Sequence, residues 1–187
     1  MRQKLVENLI GELKDSLGPM RPPIEEEALQ EAYDSKNYHE MVRLIKTHCR
    51  IGLRLRLGLV NHGSGNIPAW VARPKHLPFT GTPEYQQTQV DLYLRKSFLS
   101  RCDFEQVVLA ISHEMSHLVL DSLRHKLRHT EEAVDLTAMM LGFRDFYVTG
   151  CKQIFGLSSG EERVVRSLGY LTLEEVNHAA RYMTFLR

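Results

Sequence analysis

Apolar residues recur at Leu5, Val6, Leu9, Ile10, Leu13 and Leu17, the spacing of one helical face. Gly18-Pro19 stops that helix, and Pro22-Pro23 makes a stiff joint after it. A second helical run starts at Glu25, with Ala28, Leu29, Ala32 and Tyr33 on one side. Asp34-Ser35 interrupts it, and Tyr38, Met41, Val42 and Ile45 resume the pattern. These helices read as a lid or support packed on a core, and none of them carries chemistry.

The period then changes to two. Ile51, Leu53, Leu55, Leu57 and Leu59 alternate with Gly52, Arg54, Arg56 and Gly58, which predicts a half-buried strand. Arg54 and Arg56 read better as its solvated outer face than as an anion site. Asn61 to Asn66 is turn chemistry, and Ile67 to Val71 is a candidate short strand. Pro74, Pro78 and Pro83 predict a surface loop through Gln87. Val90, Leu92 and Leu94 alternate with Asp91 and Tyr93 as a further strand. It leads directly into the next helix, and as an exposed edge it could pair with an extended peptide.

Asp103 and Gln106 have the spacing of a capping box. The helix they open has Val107, Val108 and Ile111 on its apolar side, continued by Met115, Leu118 and Val119. The polar, basic stretch LDSLRHKLRHT then predicts a bend. Glu131 opens another helix, in which Ala133, Val134, Thr137, Ala138 and Leu141 can pack on the first and Gly142 allows a bend. Near the end, Ser159 and Glu162 before Val164, Val165 and Leu168 predict a helix that stops at Gly169. Thr172 and Glu175 before Val176, Ala179, Ala180 and Met183 predict a second.

Composition narrows the class without changing this picture. At 187 residues, 43% hydrophobic and 25% charged, the chain can build one sizeable core. A net charge of +1 argues against a nucleic-acid partner. No apolar run is long enough to span a membrane, and the charged, periodic start does not resemble a secretory signal. Cys49, Cys102 and Cys151 lack CxxC spacing and are odd in number. They read as free thiols in a reducing, cytoplasmic setting rather than as a disulfide framework or a metal ligand.

The chemistry sits on the first of the two central helices, where His113, Glu114 and His117 spell HExxH. Positions four apart share a helix face, so the two imidazoles can bind one metal ion. Glu114, one residue past the first ligand, can reach a water that the metal activates. A catalytic zinc takes three protein ligands and keeps one position open. The chain lacks HExxHxxGxxH, since positions 120 and 123 are both leucine. The remaining ligand is therefore sought on the next helix, among Glu131, Glu132 and Asp135. Glu131 and Asp135 share a face, and Glu132 is turned about 100° from Glu131. One of the facing pair can bind the metal while the other accepts a hydrogen bond from a ligand imidazole.

HExxH followed by EEAVDLTAMMLG resembles the gluzincin zinc metallopeptidases. The likeness is to small soluble relatives of the heat-shock and prenyl-protein membrane protease branch, and it covers Thr88 to Gly142. The resemblance implies that Glu131 is the third zinc ligand and that Asp135 holds His113. It also implies an α+β, zincin-like core with a short mixed sheet, an active-site helix, a second zinc-ligand helix and flanking terminal helices. Residues 1–48 would be a helical segment packed on a catalytic domain of residues 49–187. The function expected is a zinc-dependent endopeptidase acting on a peptide or protein substrate through a metal-activated water, with Glu114 as general base. The alternative is a catalytically silent binding or regulatory module on the same fold. Tyr147, Tyr170, His178 and Arg144 all remain open as the donor to the oxyanion.

Overall fold

A buried helix organises the molecule. In the computed structural model, which describes residues 2–61, 67–155 and 164–186, α6 (Phe104–Ser122) is buried on nearly every side. Only Glu105, His117 and Asp121 are partly exposed along it. A helix apolar all round must lie within a core, and this one runs between a small sheet and a set of helices. Its start is set by the predicted cap: the Asp103 N–H donates to Gln106 Oε1 at 3.2 Å.

Three helices precede the sheet: α1 (Arg2–Leu17), α2 (Glu26–Asp34) and α3 (Tyr38–His48). Gly18, at φ +76°, ends the first. The sheet has strand order β1-β3-β2, with β1 (Arg54–Val60), β2 (Ala69–Ala72) and β3 (Gln89–Arg95). β1 is parallel to β3, and β2 is antiparallel to it. Val90, Leu92 and Leu94 are at most 1% exposed, because β3 is the central strand. This corrects one expectation: β3 has no free edge to offer a peptide, and β2 takes the edge beside α6. A second correction concerns the proline-rich loop. Pro83 opens a short helix, α4 (Pro83–Gln87), capped by Thr82 and anchored by the buried Tyr85; proline is well suited to a helix's first turn. A four-residue helix, α5 (Lys96–Leu99), links β3 to α6.

Beyond α6 come α7 (Glu131–Ala138), a wide π turn (Met139–Phe143) and α8 (Arg144–Gly150). Gly142 sits in that turn at φ +106°. A side chain there would collide with the Pro22 carbonyl, so the proline joint and the glycine fit against one another. The joint also uses the turn's carbonyls: Arg21 N–H donates to Met140 O at 2.9 Å and Ile24 N–H to Gly142 O at 3.3 Å.

The two expected closing helices are one. Val164 to Ser167 form β5 (Val164–Ser167), paired antiparallel with β4 (Lys152–Phe155). Ser159 and Glu162, which were to cap a helix, lie outside the described residues. The run of Val164 and Val165 fits a strand as readily as a helix, and β-branched residues favour the strand. The other cap holds: Thr172 and Glu175 bond reciprocally at the start of α9 (Leu173–Phe185). α9 packs on α1, and α1 reaches α7. The result is an α+β fold with a short mixed sheet, a helix bearing HExxH, a second helix bearing an acidic ligand, and flanking terminal helices. Among the described residues no helix is long and apolar enough to cross a membrane.

Candidate metal centre

α6 and α7 bring three side chains to one point. One ligand atom each from His113, His117 and Glu131 lies within 4.8 Å of the others. Glu131 Oε2 is 3.3 Å from His113 Nε2 and 3.3 Å from His117 Nε2. That oxygen is buried and yet makes no well-directed hydrogen bond, and neither does His117 Nδ1. A buried carboxylate oxygen with no hydrogen-bond partner, facing one nitrogen of each of two imidazoles, suits a cation. Four ligands about 2.0–2.1 Å from a tetrahedral ion lie roughly 3.3–3.4 Å apart. The two distances from Glu131 Oε2 therefore fit a metal ion, and two neutral imidazoles with one carboxylate are a suitable donor set.

Asp135 is fully buried and accepts four hydrogen bonds. His113 Nδ1 lies 2.7 Å from its Oδ1, which also accepts from the Tyr147 hydroxyl at 3.1 Å. The backbone N–H groups of Tyr170 and Leu171 donate to Oδ2 at 2.6 and 3.1 Å. This network fixes the proton on His113 Nδ1 and leaves Nε2 for the metal. It also ties the turn before α9 to the ligand. Gly169, at φ +101°, lets that turn approach, since a Cβ there would stand 3.0 Å from Asp135 Oδ2. Tyr170 stacks on the His113 ring, with centroids 5.6 Å apart and an interplanar angle of 20°.

Glu114 is buried beside this cluster. Its Oε2 accepts from the Val71 N–H on β2 at 3.0 Å, which aims the carboxylate. Burial pushes its pKa up to about 7, against the lowering effect of His113, the Val71 bond and Arg73. Burial and the neighbouring His113 charge hold His117 down near 4. Burial also opposes protonation of His113, but its bond to Asp135 and the nearby Glu131 carboxylate prevail and carry it to about 10. Glu131 is lowered, chiefly by its contact with His113. So a proton placed on this cluster resides on His113, the position a dication would claim.

A cavity of about 310 Å³ opens at the centre. It is lined by Ile67 to Ala69, by Leu109, Ala110, His113 and Glu114 of α6, and by Leu168 to Tyr170. Of the four candidate donors downstream, only Tyr170 lines it. Tyr147 is buried on Asp135, His178 pairs with Glu7 at 3.0 Å, and Arg144 bonds Asp145 and Thr184. Glu132 is exposed. None of the three cysteines forms a disulfide, and none belongs to the cluster. Arg56 is paired with Asp91 at 2.7 Å on the outer sheet face. The Val71 N–H and the backbone donors of the 170–171 turn carry no mark in the sequence, because any residue supplies a backbone N–H.

Comparison of the chain with protein-family models, with curated proteins and with solved structures finds no match.

Removing the Asp135 carboxylate tests the network. Asp135→Asn keeps the volume but replaces one acceptor oxygen by a donor facing N–H or O–H groups. We expect zinc affinity to fall about 10- to 100-fold and the thermal midpoint to fall as buried donors lose a charged partner. Chelator competition and a melting curve measure the two effects; unchanged values for both would show that the network is dispensable.

Proposed function

We propose that the protein is a zinc-dependent endopeptidase of the gluzincin type. The observation that carries the reading is the placement of Glu114. It lines one cavity with His113, one of the three converging ligands, and one of its oxygens is held by an edge-strand N–H. A site meant only to hold a structural metal has no need of a buried, oriented carboxylate that does not ligate.

When bound, zinc would be held by His113, His117 and Glu131 and would act as a Lewis acid toward water and the scissile carbonyl. Glu114 accepts the proton of the attacking water and delivers it to the leaving nitrogen. Its Oε2 is occupied by Val71, so Oε1 is the transferring atom. Asp135 keeps His113 in the ligating tautomer. Tyr170 donates to the oxyanion as it develops. Burial and the carboxylates of Glu131, Asp135 and Glu114 raise its pKa, so the hydroxyl remains a donor at neutral pH. β2 is the strand on which an extended substrate pairs. Along an antiparallel edge, alternate residues turn their N–H and C=O outward, and Val71 already points to Glu114, so Ala69 presents its own to the same cleft. Residues 1–48 act in this reading as a brace behind a catalytic part of residues 49–187.

The test is hydrolysis of denatured casein and of a mixed peptide library by purified, zinc-loaded protein. Turnover is expected, with loss on chelation and recovery with zinc. A metal analysis that finds iron, or no turnover across broad substrates, would remove the peptidase reading; the latter would favour a binding module. Tyr170→Phe should cut kcat about 10²- to 10³-fold with little change in KM. A change confined to KM would instead make Tyr170 a wall of the cavity and no more.

A further inference from the structure

The cleft changes character along its length, and the contacts between α6 and the 67–73 segment supply a ruler for it. Ile67 to Ala69 share a cavity with Leu109 and Ala110, Val71 N bonds Glu114, and Arg73 Nε lies 2.7 Å from Asp121 Oδ2. β2 and the segment after it thus run alongside α6 in the same direction. At 1.5 Å per helical residue, Ala110 lies about 6 Å to one side of Glu114 and Asp121 about 10 Å to the other. For an extended peptide these are about two and three residues.

The first end is apolar. Apart from His113 and Glu114, the cavity is lined by no charged side chain. A charged group entering it would lose water and find no partner of opposite sign at its far wall. Its volume of about 310 Å³ admits a large aliphatic or aromatic side chain. The second end is basic. Asp121 serves two guanidiniums, Arg73 at 2.7 Å and Arg128 at 4.0 Å, so one positive charge is left over. Arg73 and Arg128 keep 26% and 38% of their side chains exposed. From Ser122 to Thr130 the chain has Arg124, Lys126 and Arg128 and no acidic residue, though Lys126 is paired with Glu12 at 3.0 Å.

We propose that this cleft selects peptides with a large apolar side chain on one side of the scissile bond and an acidic group about three residues away on the other. The inference rests on the peptidase reading and names its substrate class. The apolar cavity fixes the register of the peptide on β2, and Arg73 with Arg128 attracts the carboxylate. As that end is partly open to water, its contribution is modest and weakens with salt.

The experiment uses the zinc-loaded full chain and a matrix of peptides. The apolar position carries Phe, Leu, Gly or Asp, and the distal position Glu, Gln or Lys. Phe or Leu should exceed Asp by at least about tenfold in kcat/KM. Glu should exceed Lys by about three- to fivefold at low salt, less at 0.5 M salt. Arg128→Glu should flatten or reverse the distal preference and keep the apolar one. Ala110→Phe should move the apolar preference toward Gly. The same peptides are titrated against zinc-loaded Glu114→Gln protein by fluorescence anisotropy, which needs no turnover. Cleavage with neither preference overturns this inference and leaves the peptidase standing. Selective binding without cleavage by the unmutated protein keeps the recognition and removes the peptidase. Neither binding nor cleavage overturns both.

Discussion

Replacing Glu114 with glutamine is expected to abolish most peptide hydrolysis while leaving metal and fold in place. Glutamine has nearly the same shape, and its carbonyl oxygen can still accept from the Val71 N–H that now reaches Glu114 Oε2 at 3.0 Å. Glu114 is not among the three converging ligand atoms, so zinc content should stay near one per chain. What is lost is proton transfer, about 10²- to 10⁴-fold in kcat. Stability offers an independent check. The folded-state pKa of Glu114 is raised by burial from 4.5 to about 7. A raised carboxyl pKa means that the folded state binds the proton more tightly, so stability falls as pH rises from about 4.5 to about 7. The metal-free variant should therefore be more stable than metal-free parent protein at pH 8, by at most about 3 kcal/mol, with the gap closing toward pH 4.5. Denaturant titrations at both pH values measure this. A variant as active as its parent would show that the base lies elsewhere.

Loss of the metal is the other large effect. His113→Ala, His117→Ala and Glu131→Ala each remove one of three atoms that now stand at most 4.8 Å apart. Each should lose stoichiometric zinc and, with it, the rise in melting temperature that zinc gives the parent protein. Glu132→Ala is the control. Glu132 is exposed, and its removal should alter only the electrostatics of the first turn of α7, by a few tenths of a kcal/mol. Competition with a chromophoric chelator ranks all four. If Glu132→Ala released the metal while Glu131→Ala kept it, the register of α7 would be wrong. Full zinc in both histidine variants would sink the site as a whole.

The parts of the site that depend on helical spacing were legible in the chain. His113 and His117, four apart, had to share a face, and so did Glu131 and Asp135. The caps at Asp103 and Thr172 announced where α6 and α9 begin. Alternating leucines announced β1 and β3. All of these rest on interactions within a few residues, which local sequence encodes. Three other matters were decided only by tertiary packing. Strand order is a long-range choice, so β3, rich in buried residues, turned out central, and the edge beside Glu114 went to the four-residue β2. The pairing of β4 with β5 took the place of an expected helix, because pairing and the β-branched Val164 and Val165 together outweighed the capping pattern that suggested one. The turn at Gly169 to Leu171 came to Asp135 across a gap of some 35 residues in sequence, through backbone N–H groups that every residue possesses. The sequence by itself therefore determined which side chains share a helix face, His113 with His117 and Glu131 with Asp135. The folded chain alone decided which strand faces them, which tyrosine lines their cavity and which end of the cleft is basic, because these depend on contacts between segments that no local pattern specifies.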